Sequence, residues 1–298
     1  MSNGILILNK PKNITSHDAV AKLRRLYQTR QIGHTGTLDP MATGVLCILI
    51  GRAVKASEYA MDHDKSYRAG LKLGIVTDTG DITGKILSET NEIPSWEEVS
   101  AAVFQFRGEM RQVPPMYSAI KVGGEKLCNL ARKGITVERE ARPITVYDIS
   151  CTPVCCEKGE YILDVSCSKG TYIRSLCEDI GRNLGCGGTM SSLVRTSAGG
   201  FSIEDSYTLE QLEAMTAEER DRILISTEEL FSDLPIIRLP KFFAGLALAG
   251  NEIYLKKIGV DLQNGQRVRL YDDSFFSLGE VMSFPDGLAV KPVKKFRL

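Results

Sequence analysis

Five segments in the first 170 residues show the apolar or alternating pattern of a β-strand. They comprise residues 5–8, 45–50, 67–73, 144–149 and 161–167. Residues 5–8 and 45–50 are apolar throughout, as expected of a buried strand, whereas residues 67–73 alternate between apolar and polar side chains. These segments predict a β-sheet.

A helical spacing begins after Thr15. Thr15 and Asp18 form a capping-box pattern, in which each side chain can satisfy a free backbone amide of the first turn. Val20, Leu23 and Tyr27 then recur on one face at the intervals of an amphipathic helix. We therefore predict a helix that begins near Thr15.

Two further helices are predicted downstream. Ser95 is a suitable N-cap and is followed by acidic residues in the first turn. Thr171 is predicted to cap a helix with an apolar stripe formed by Ile173, Leu176, Ile180 and Leu184. Together with the strands, these helices predict an α+β domain with a central mixed, mostly antiparallel sheet flanked by helices.

The chain changes character after residue 208. Residues 208–233 are acidic and predict helices that lead to a boundary near residue 234. Short strand-like runs separated by glycine, aspartate and proline follow at residues 266–271, 275–282 and 288–293. We therefore divide the chain into a large domain, residues 1–233, and a small β-rich domain, residues 234–298.

The charges are unevenly distributed, although 37 basic residues balance 37 acidic ones over the whole chain. Residues 1–80 carry eleven basic and six acidic side chains, a net charge of +5. Residues 238–298 carry ten and six, a net of +4, whereas residues 204–233 carry two and ten, a net of −8. A polyanion responds to local patches, so a nucleic-acid partner is compatible with the zero total.

The composition gives no support to a membrane or metal-binding protein. The chain has no apolar run of the ~20 residues needed to cross a bilayer, and its N-terminus lacks the pattern of a secretory signal. We therefore expect a cytoplasmic protein. None of the eight cysteines forms a C-x-x-C pair, so we expect no metal site.

Residues 31–44 form the most informative segment. They contain several glycines and one proline, show no sustained periodicity and are predicted to be a long loop. Loops of this length inside a compact domain are usually functional. Taken alone, Asp39 followed by Pro40 is typical of a turn. A phosphate loop is excluded, because the segment lacks the G-K-[ST] ending and precedes a strand rather than a helix.

Taken whole, residues 33–44 (GHTGTLDPMATG) resemble the signature motif of the TruB family of pseudouridine synthases nearly residue for residue. Further motifs of that family follow in the same order, so the resemblance covers roughly residues 5–205. These motifs are residues 9–11 (NKP), 65–69 (KSYRA), 115–121 (PMYSAIK), 142–144 (RPI) and 167–174 (CSKGTYIR).

The resemblance implies an isomerase that converts uridine to pseudouridine in the T-loop of tRNA, at the position conventionally numbered 55. The reaction breaks the N-glycosidic bond, turns the uracil over and joins its C5 to the same sugar. It requires no redox change, energy donor or metal, so we expect no cofactor. We expect a monomer that binds tRNA without a guide RNA. Residues 234–298 would form a small PUA-like RNA-binding domain.

The resemblance assigns the chemistry to three residues. Asp39 supplies an ionised carboxylate beside the ribose, which either attacks C1′ or removes a proton from the sugar. Arg174 supplies a fixed cation, because a carboxylate shielded from water tends to become protonated and a guanidinium can bind both of its oxygens. Tyr67 supplies an aromatic face for a uracil extracted from the RNA stack, and its hydroxyl can assist proton removal from C5.

Five further residues are expected to contact the substrate. His34 resembles the family histidine that supports the flipped-out bases, and Leu193 fits an apolar position of the pocket wall. Lys10 and Lys169 are expected to contact phosphate or to organise the pocket. Tyr172 lies in the same motif as Lys169 and Arg174 and is expected to line the pocket.

Each assignment has a simpler structural alternative. Alone, Tyr67 and Leu193 are typical core residues, His34 is typical of a hydrogen-bonded loop, and Arg174 of an exposed helix position. For the whole protein, the alternatives are a guide-dependent relative, a non-catalytic RNA-binding or RNA-folding protein, and a metal- or phosphate-dependent hydrolase. The short N-terminus and the lack of long basic tails favour the stand-alone enzyme over its guide-dependent relative.

Overall fold

The computed structural model describes residues 2–60 and 63–297, so Met1 and Leu298, the ends of the two predicted domains, lie outside the described residues. Its strands in chain order are β1 (Gly4–Lys10), β2 (Ile32–His34), β3 (Thr43–Ile50), β4 (Lys65–Leu73), β5 (Ile75–Thr77), β6 (Ile86–Glu89), β7 (Gly108–Gln112), β8 (Lys121–Val122), β9 (Glu125–Lys126), β10 (Arg142–Cys155), β11 (Glu160–Cys167), β12 (Gly188–Ala198), β13 (Phe201–Ser202), β14 (Ile236–Arg238), β15 (Ile253–Tyr254), β16 (Arg267–Tyr271), β17 (Phe275–Phe284) and β18 (Gly287–Lys295).

Helices alternate irregularly with these strands. They are α1 (Ser16–Leu26), α2 (Ser57–Ala60), α3 (Trp96–Phe104), α4 (Leu127–Arg132), α5 (Ile173–Asn183), α6 (Leu209–Ala214), α7 (Ala217–Arg222), α8 (Lys241–Ala249) and α9 (Leu255–Ile258). No helix in the described residues is both long enough and apolar enough to span a lipid bilayer.

The central sheet is mixed and mostly antiparallel. Its strands follow the order β1-β3-β12-β4-β11-β10-β7, with β2 paired to β3 and β13 paired to β12. Strands β3 and β12 run parallel, whereas the other neighbours along this path are antiparallel. The predicted fold class and the five predicted strands are therefore confirmed.

Strands β1 and β3 are buried on both faces, as their apolar sequences predict. Leu6 and Leu8 of β1 point into a core cluster that also contains apolar residues of α1, α3 and α5. Ile5 and Ile7 point the other way, into a second cluster that contains Leu278 of the C-terminal domain. The sheet is thus covered by helices on one side of β1 and partly by the C-terminal domain on the other.

Two of the three predicted helix N-caps are confirmed. Thr15 forms the predicted capping box with Asp18, and Ser95 is the predicted N-cap and in addition forms a capping box with Glu98. The prediction for Thr171 is wrong, because Tyr172 is the N-cap of α5 and makes no side-chain capping bond. The Thr171 hydroxyl donates instead to the carbonyl oxygen of Ser168, at 2.9 Å. The apolar stripe of this helix is buried as predicted at Ile173, Leu176 and Ile180.

The predicted loop at residues 31–44 is shorter than expected. Residues 32–34 form β2, which pairs antiparallel with β3 in the register Ile32 to Ile50 and His34 to Ile48. Three residues are too few to show an alternating pattern in the sequence, and Gly33 in the middle of the strand obscures it further. Residues 35–42 form the true loop, and Asp39 lies in it.

The C-terminal domain contains a five-stranded sheet in the order β14-β16-β17-β18-β15 within the described residues. Strands β16, β17 and β18 match the three predicted runs. Helix α8 was not predicted, because its residues 241–249 are apolar on most sides and show no polar stripe. The acidic segment before this domain forms α6 and α7, as predicted.

Candidate active site

The loop that carries Asp39 is anchored at several points. The Ser16 hydroxyl, at the start of α1, donates to the carbonyl oxygen of Leu38 at 3.1 Å and accepts from the Leu38 amide at 2.8 Å. The Lys10 ammonium donates to the carbonyl oxygen of Pro40 at 3.4 Å. Leu38 and Met41 on either side of Asp39 are buried in the core. These contacts fix the backbone at Asp39, so its carboxylate is held in one place.

Asp39 and Arg174 form a two-point ion pair. The Arg174 Nε lies 2.9 Å from Oδ2 of Asp39, and Nη2 lies 3.4 Å from Oδ1. The Arg174 side chain is 6% exposed, whereas that of Asp39 keeps 33% of its surface accessible. The cation is therefore part of the protein interior, and the carboxylate faces the opening of the pocket.

Two backbone carbonyls hold the guanidinium from the other side. Arg174 Nη1 donates to Thr79 at 3.1 Å, and Nη2 donates to Tyr117 at 2.7 Å. These contacts orient the planar fork before any substrate arrives, so Arg174 is not an exposed helix arginine. Burial raises the pKa of Asp39, and the charge of Arg174 opposes that shift.

Asp81 is a second carboxylate near this pair that the sequence reasoning missed. It is buried, and its Oδ1 accepts from the Thr79 hydroxyl at 3.2 Å and from the Thr83 amide at 2.9 Å. Its charge adds to the rise in the pKa of Asp39. The signal in the sequence was an ordinary turn pattern at residues 77–81, which gives no sign that the turn packs against Arg174.

Tyr67 and Leu193 lie on the same face of the sheet. In the pairing of β4 with β12, Tyr67 is opposite Arg195 and Ala69 is opposite Leu193. Tyr67 and Leu193 are each 8% exposed. Burial raises the pKa of Tyr67, and the charge of Asp39 raises it further. Asp39 and Tyr67 thus share one electrostatic environment, although 28 residues separate them in the chain.

Lys10 lies against the Asp39 loop through Pro40, and His34 ends strand β2 directly before that loop. The Lys10 side chain is fully buried, and its Nζ donates to the carbonyl oxygens of Pro11 and Ile14, at 2.9 Å each, besides Pro40. Burial lowers the pKa of Lys10 to about 8. This geometry favours the pocket-organising role of Lys10 over a phosphate contact. Burial also lowers the pKa of His34, whose Nδ1 is buried without a hydrogen-bond partner in the described residues.

Tyr172 and Lys169 occupy the segment that leads into α5. The side-chain amide of Gln112 accepts from the Tyr172 backbone amide at 2.8 Å and donates to its carbonyl oxygen at 3.0 Å. Lys169 is exposed and lies in a groove of about 480 Å³ beside β7 and β10. Within the described residues, Asp39 and Arg174 do not line that groove. Lys169 therefore lines this groove and does not lie beside the ion pair.

Metal-ligating groups are scattered. In the part of the chain that the structure describes, no group of three or more His, Cys, Asp or Glu residues is arranged to hold a metal ion. The eight cysteines are free, and three of them are buried as small apolar side chains. What surrounds Asp39 is the guanidinium of Arg174 and the ammonium of Lys10, with the Tyr67 phenol in the same electrostatic environment.

Solved structures share the fold that surrounds this site. The chain superposes with a TM-score of 0.75 on a chain of "Crystal Structure of a Cbf5-Nop10-Gar1 Complex", at 25% identity, covering 99% of this chain and 85% of that one. The TM-score is 0.73 for "Structure of H/ACA RNP bound to a substrate RNA containing 2'-deoxyuridine", at 23% identity and with 99% and 85% coverage.

Family models identify the class of protein. Residues 24–173 match the model described as "TruB family pseudouridylate synthase (N terminal domain)". Residues 174–232 match "tRNA pseudouridylate synthase B C-terminal domain". The chain is thus a pseudouridylate synthase by fold and family, an enzyme that isomerises uridine within RNA.

Individual relatives show which family of pseudouridylate synthases the chain belongs to. The chain is 45% identical over 280 residues to "tRNA pseudouridine synthase B" of Clostridium tetani, covering 93% of this chain and 95% of that protein. It is 42% identical over 272 residues to the protein of the same name from Burkholderia mallei, covering 91% and 89%. The chain therefore belongs to the TruB family, which confirms the resemblance seen in its motifs.

Proposed function

We propose that this protein converts uridine to pseudouridine at position 55 in the T-loop of tRNA, as a stand-alone enzyme without a guide RNA. The observation that carries the proposal is the two-point ion pair between Arg174 and Asp39, with Nε–Oδ2 at 2.9 Å, in a pocket of the TruB fold. The names of its relatives, which share about the same chain length, support tRNA as the substrate.

Asp39 is the catalytic carboxylate in this proposal. Burial and the nearby Asp81 both favour its protonated form, whereas Arg174 favours the anion. Because the guanidinium is itself buried and held by two carbonyls, it loses little freedom when it stabilises the carboxylate. Asp39 then either attacks C1′ of the target nucleotide or removes a proton from the sugar, and the glycosidic bond breaks.

The uracil reaches this carboxylate by leaving its stack in the T-loop. Flipping a base out of a folded loop costs a few kcal/mol, and stacking on one aromatic side chain recovers about 1–3 kcal/mol. Tyr67 is the stacking residue and Leu193 forms the apolar wall beside it, because the two share a face of the sheet. The Tyr67 hydroxyl assists removal of the C5 proton, and His34 supports the other flipped bases.

Binding of the rest of the tRNA is assigned to exposed basic residues. Residues 113–141, between β7 and β10, carry five basic and three acidic side chains and adjoin the pocket through the Tyr117 carbonyl. The C-terminal domain, residues 234–298, serves as a PUA-like RNA-binding domain. Lys169 contacts phosphate at the approach to the pocket, and Tyr172 lines it. The reaction proceeds in a monomer without a cofactor.

The test is release of tritium from C5-labelled uridine. Purified protein is mixed with an unmodified tRNA transcript without any added cofactor or guide RNA. One tritium should be released per tRNA, and none from a control transcript in which cytidine replaces the uridine at position 55. Release from the control transcript would refute the proposed position. Absence of release from both transcripts would refute the proposed reaction.

A further inference from the structure

Arg195 is a buried cation for which the sequence predicted no role. It lies on β12, is 2% exposed and belongs to the largest fully buried side chains of the described residues. Its Nε donates to the carbonyl oxygen of Val45 at 2.6 Å, and its Nη2 donates to that of Gly36 at 3.1 Å. In the part of the chain that the structure describes, it makes no ion pair with a carboxylate.

The location of Arg195 connects three parts of the pocket. Gly36 belongs to the loop that carries Asp39, Val45 belongs to β3, and the residue opposite Arg195 on β4 is Tyr67. Strand β3 approaches closely because Gly44, at φ +99°, has no Cβ; a Cβ there would lie 2.2 Å from the Arg195 carbonyl oxygen. The guanidinium therefore spans the space between the catalytic loop and the stacking residue.

A buried charge without an ionic partner is costly, so its presence needs a reason. Burial of an apolar side chain at this position would fill the same space without that cost. The two accepting carbonyls satisfy only part of the five donors of the guanidinium. Tyr67 is the residue directly opposite Arg195 on β4, so the two side chains lie on the same face of the sheet.

We propose that Arg195 is a positioning residue that ties the Asp39 loop to β3 and fixes the Tyr67 side chain for the reaction. The inference deepens the proposed function and rests on it, because it concerns the same pocket. Arg195 does not touch the substrate, and it acts through Tyr67 and through the Gly36 backbone.

Charge is part of this role. Burial raises the pKa of the Tyr67 phenol, and the Arg195 guanidinium opposes the shift, whereas Cys167 on β11 and Asp39 on the loop add to it. Arg195 itself is faced by other cationic or titratable groups, which it influences in turn: Lys10, His34, Cys47 and Lys65. Loss of the guanidinium would therefore raise the pKa of Tyr67 further.

The first test compares Arg195→Gln and Arg195→Lys with the wild-type protein. Arg195→Gln should lower kcat by about 100-fold while KM changes little, because a misplaced pocket group costs about that much. Arg195→Lys retains the charge but loses the fork and should recover part of kcat. The control is Arg68→Gln, one position along β4 from Tyr67, whose exposed side chain pairs with Asp164 and should leave kcat unchanged.

A double-substitution cycle separates positioning of Tyr67 from general stabilisation. If Arg195 acts through Tyr67, then Arg195→Lys should have little further effect on kcat in a Tyr67→Phe background. If the double variant lost kcat by the product of the two losses seen in the single variants, the proposal would be overturned. Arg195→Lys serves in this cycle because it keeps the buried charge, and its folding is verified by its unfolding midpoint in urea.

The second test needs no activity and so distinguishes this inference from the proposed function. Fluorotyrosine is incorporated into the protein, and the Tyr67 signal is assigned by ¹⁹F NMR with Tyr67→Phe. In Arg195→Lys the pKa of Tyr67 should stay near the wild-type value, and in Arg195→Gln it should rise. An equal pKa in wild type and Arg195→Gln would refute the role of the charge, even if the enzyme makes pseudouridine.

Discussion

The catalytic pocket and the C-terminal domain both carry several basic residues but use them in opposite ways. In the pocket, Lys10, Arg174 and Arg195 are 0%, 5% and 2% exposed, and each donates to backbone carbonyls. In the C-terminal domain, basic residues lie at or near the surface. Buried charges fix geometry and pKa values, whereas exposed charges are screened and act by long-range attraction.

Fewer cations of the C-terminal domain are available to bind RNA than the net charge of the domain suggests. Lys294 pairs with Glu58 of the large domain, and Arg269 pairs with Glu228 at 3.2 Å. These two cations connect the domains and are thus partly neutralised. Lys256, Lys257 and Lys291 are among the cations that make no ion pair in the described residues and so are available to RNA. A count of charges along the chain cannot separate these two groups.

The largest effect is expected from Asp39→Asn. The change removes the charge and keeps the shape, so turnover should fall by at least about 10³-fold while the fold and tRNA affinity are retained. Tritium release and a filter-binding assay measure the two quantities on the same preparation. Asp78→Asn, at an exposed loop position, is the matched control and should be fully active. Multiple turnover by a preparation of Asp39→Asn without deamidation would rule out the assignment.

Arg174→Lys should have the next largest effect, a loss of kcat of roughly 10²–10³-fold, because lysine cannot reproduce the two-point contact. Arg174 lowers the pKa of Asp39 against burial, so its loss raises that pKa and the acid limb of kcat/KM should move to higher pH. The profile is measured from about pH 5 to pH 9. Arg182, on the same helix, forms an exposed ion pair with Asp179, so Arg182→Lys should leave the pH profile unchanged.

The different use of charge in the pocket and in the C-terminal domain predicts two separate domains. The apolar contacts between the C-terminal domain and β1 indicate instead that the two share a core. Leu278 is fully buried in the cluster that contains Ile5 and Ile7 of β1. Leu278→Ala should therefore lower the free energy of unfolding by about 2–5 kcal/mol, measured in urea by tryptophan fluorescence. Leu288→Ala, at a 36% exposed position, is the control and should cost much less.

If Leu278→Ala were as stable as the control, the C-terminal domain would be an independent unit and the shared core would be refuted. The same contact shows why deletion of residues 235–298 is a poor test of RNA binding. The deletion would expose the face of β1 and β3 that carries Ile5 and Ile7. Strand β1 also carries Lys10, so its distortion would disturb the pocket. Single substitutions are the better choice.

The smallest effect is expected from the unpaired cations of the C-terminal domain. The triple substitution Lys256→Gln, Lys257→Gln, Lys291→Gln should weaken tRNA binding at low salt and reduce the slope of log K against log salt by about 0.7–0.9 for each phosphate that is no longer neutralised. The value of kcat at saturating tRNA should not change. Lys294→Gln is the control, since Glu58 already compensates its charge. An unchanged slope in the triple variant would exclude this face from RNA binding.

Much of the fold could be predicted from the sequence, because strand and helix patterns are local. The apolar runs at residues 5–8 and 45–50 and the alternation at residues 67–73 predict their strands, since each side chain's direction repeats every two residues. The capping boxes at Thr15 and Ser95 need only four consecutive residues. The motif around Asp39 is likewise contiguous, so the amino-acid sequence by itself indicates the family and the carboxylate that we propose as catalytic.

Local sequence patterns did not decide which charges meet: only the family resemblance paired Arg174 with Asp39, and the tertiary structure alone decided the contacts of Arg195. Arg174 binds Asp39 across 135 residues, and Arg195 binds Val45 across 150, so no local pattern predicts either contact. The pairing register of β4 with β12 placed Arg195 opposite Tyr67, and a shift of one residue would have turned it to the other face. The role of Lys10 was decided in the same way, because three carbonyls enclose its ammonium only after the loop has folded over β1.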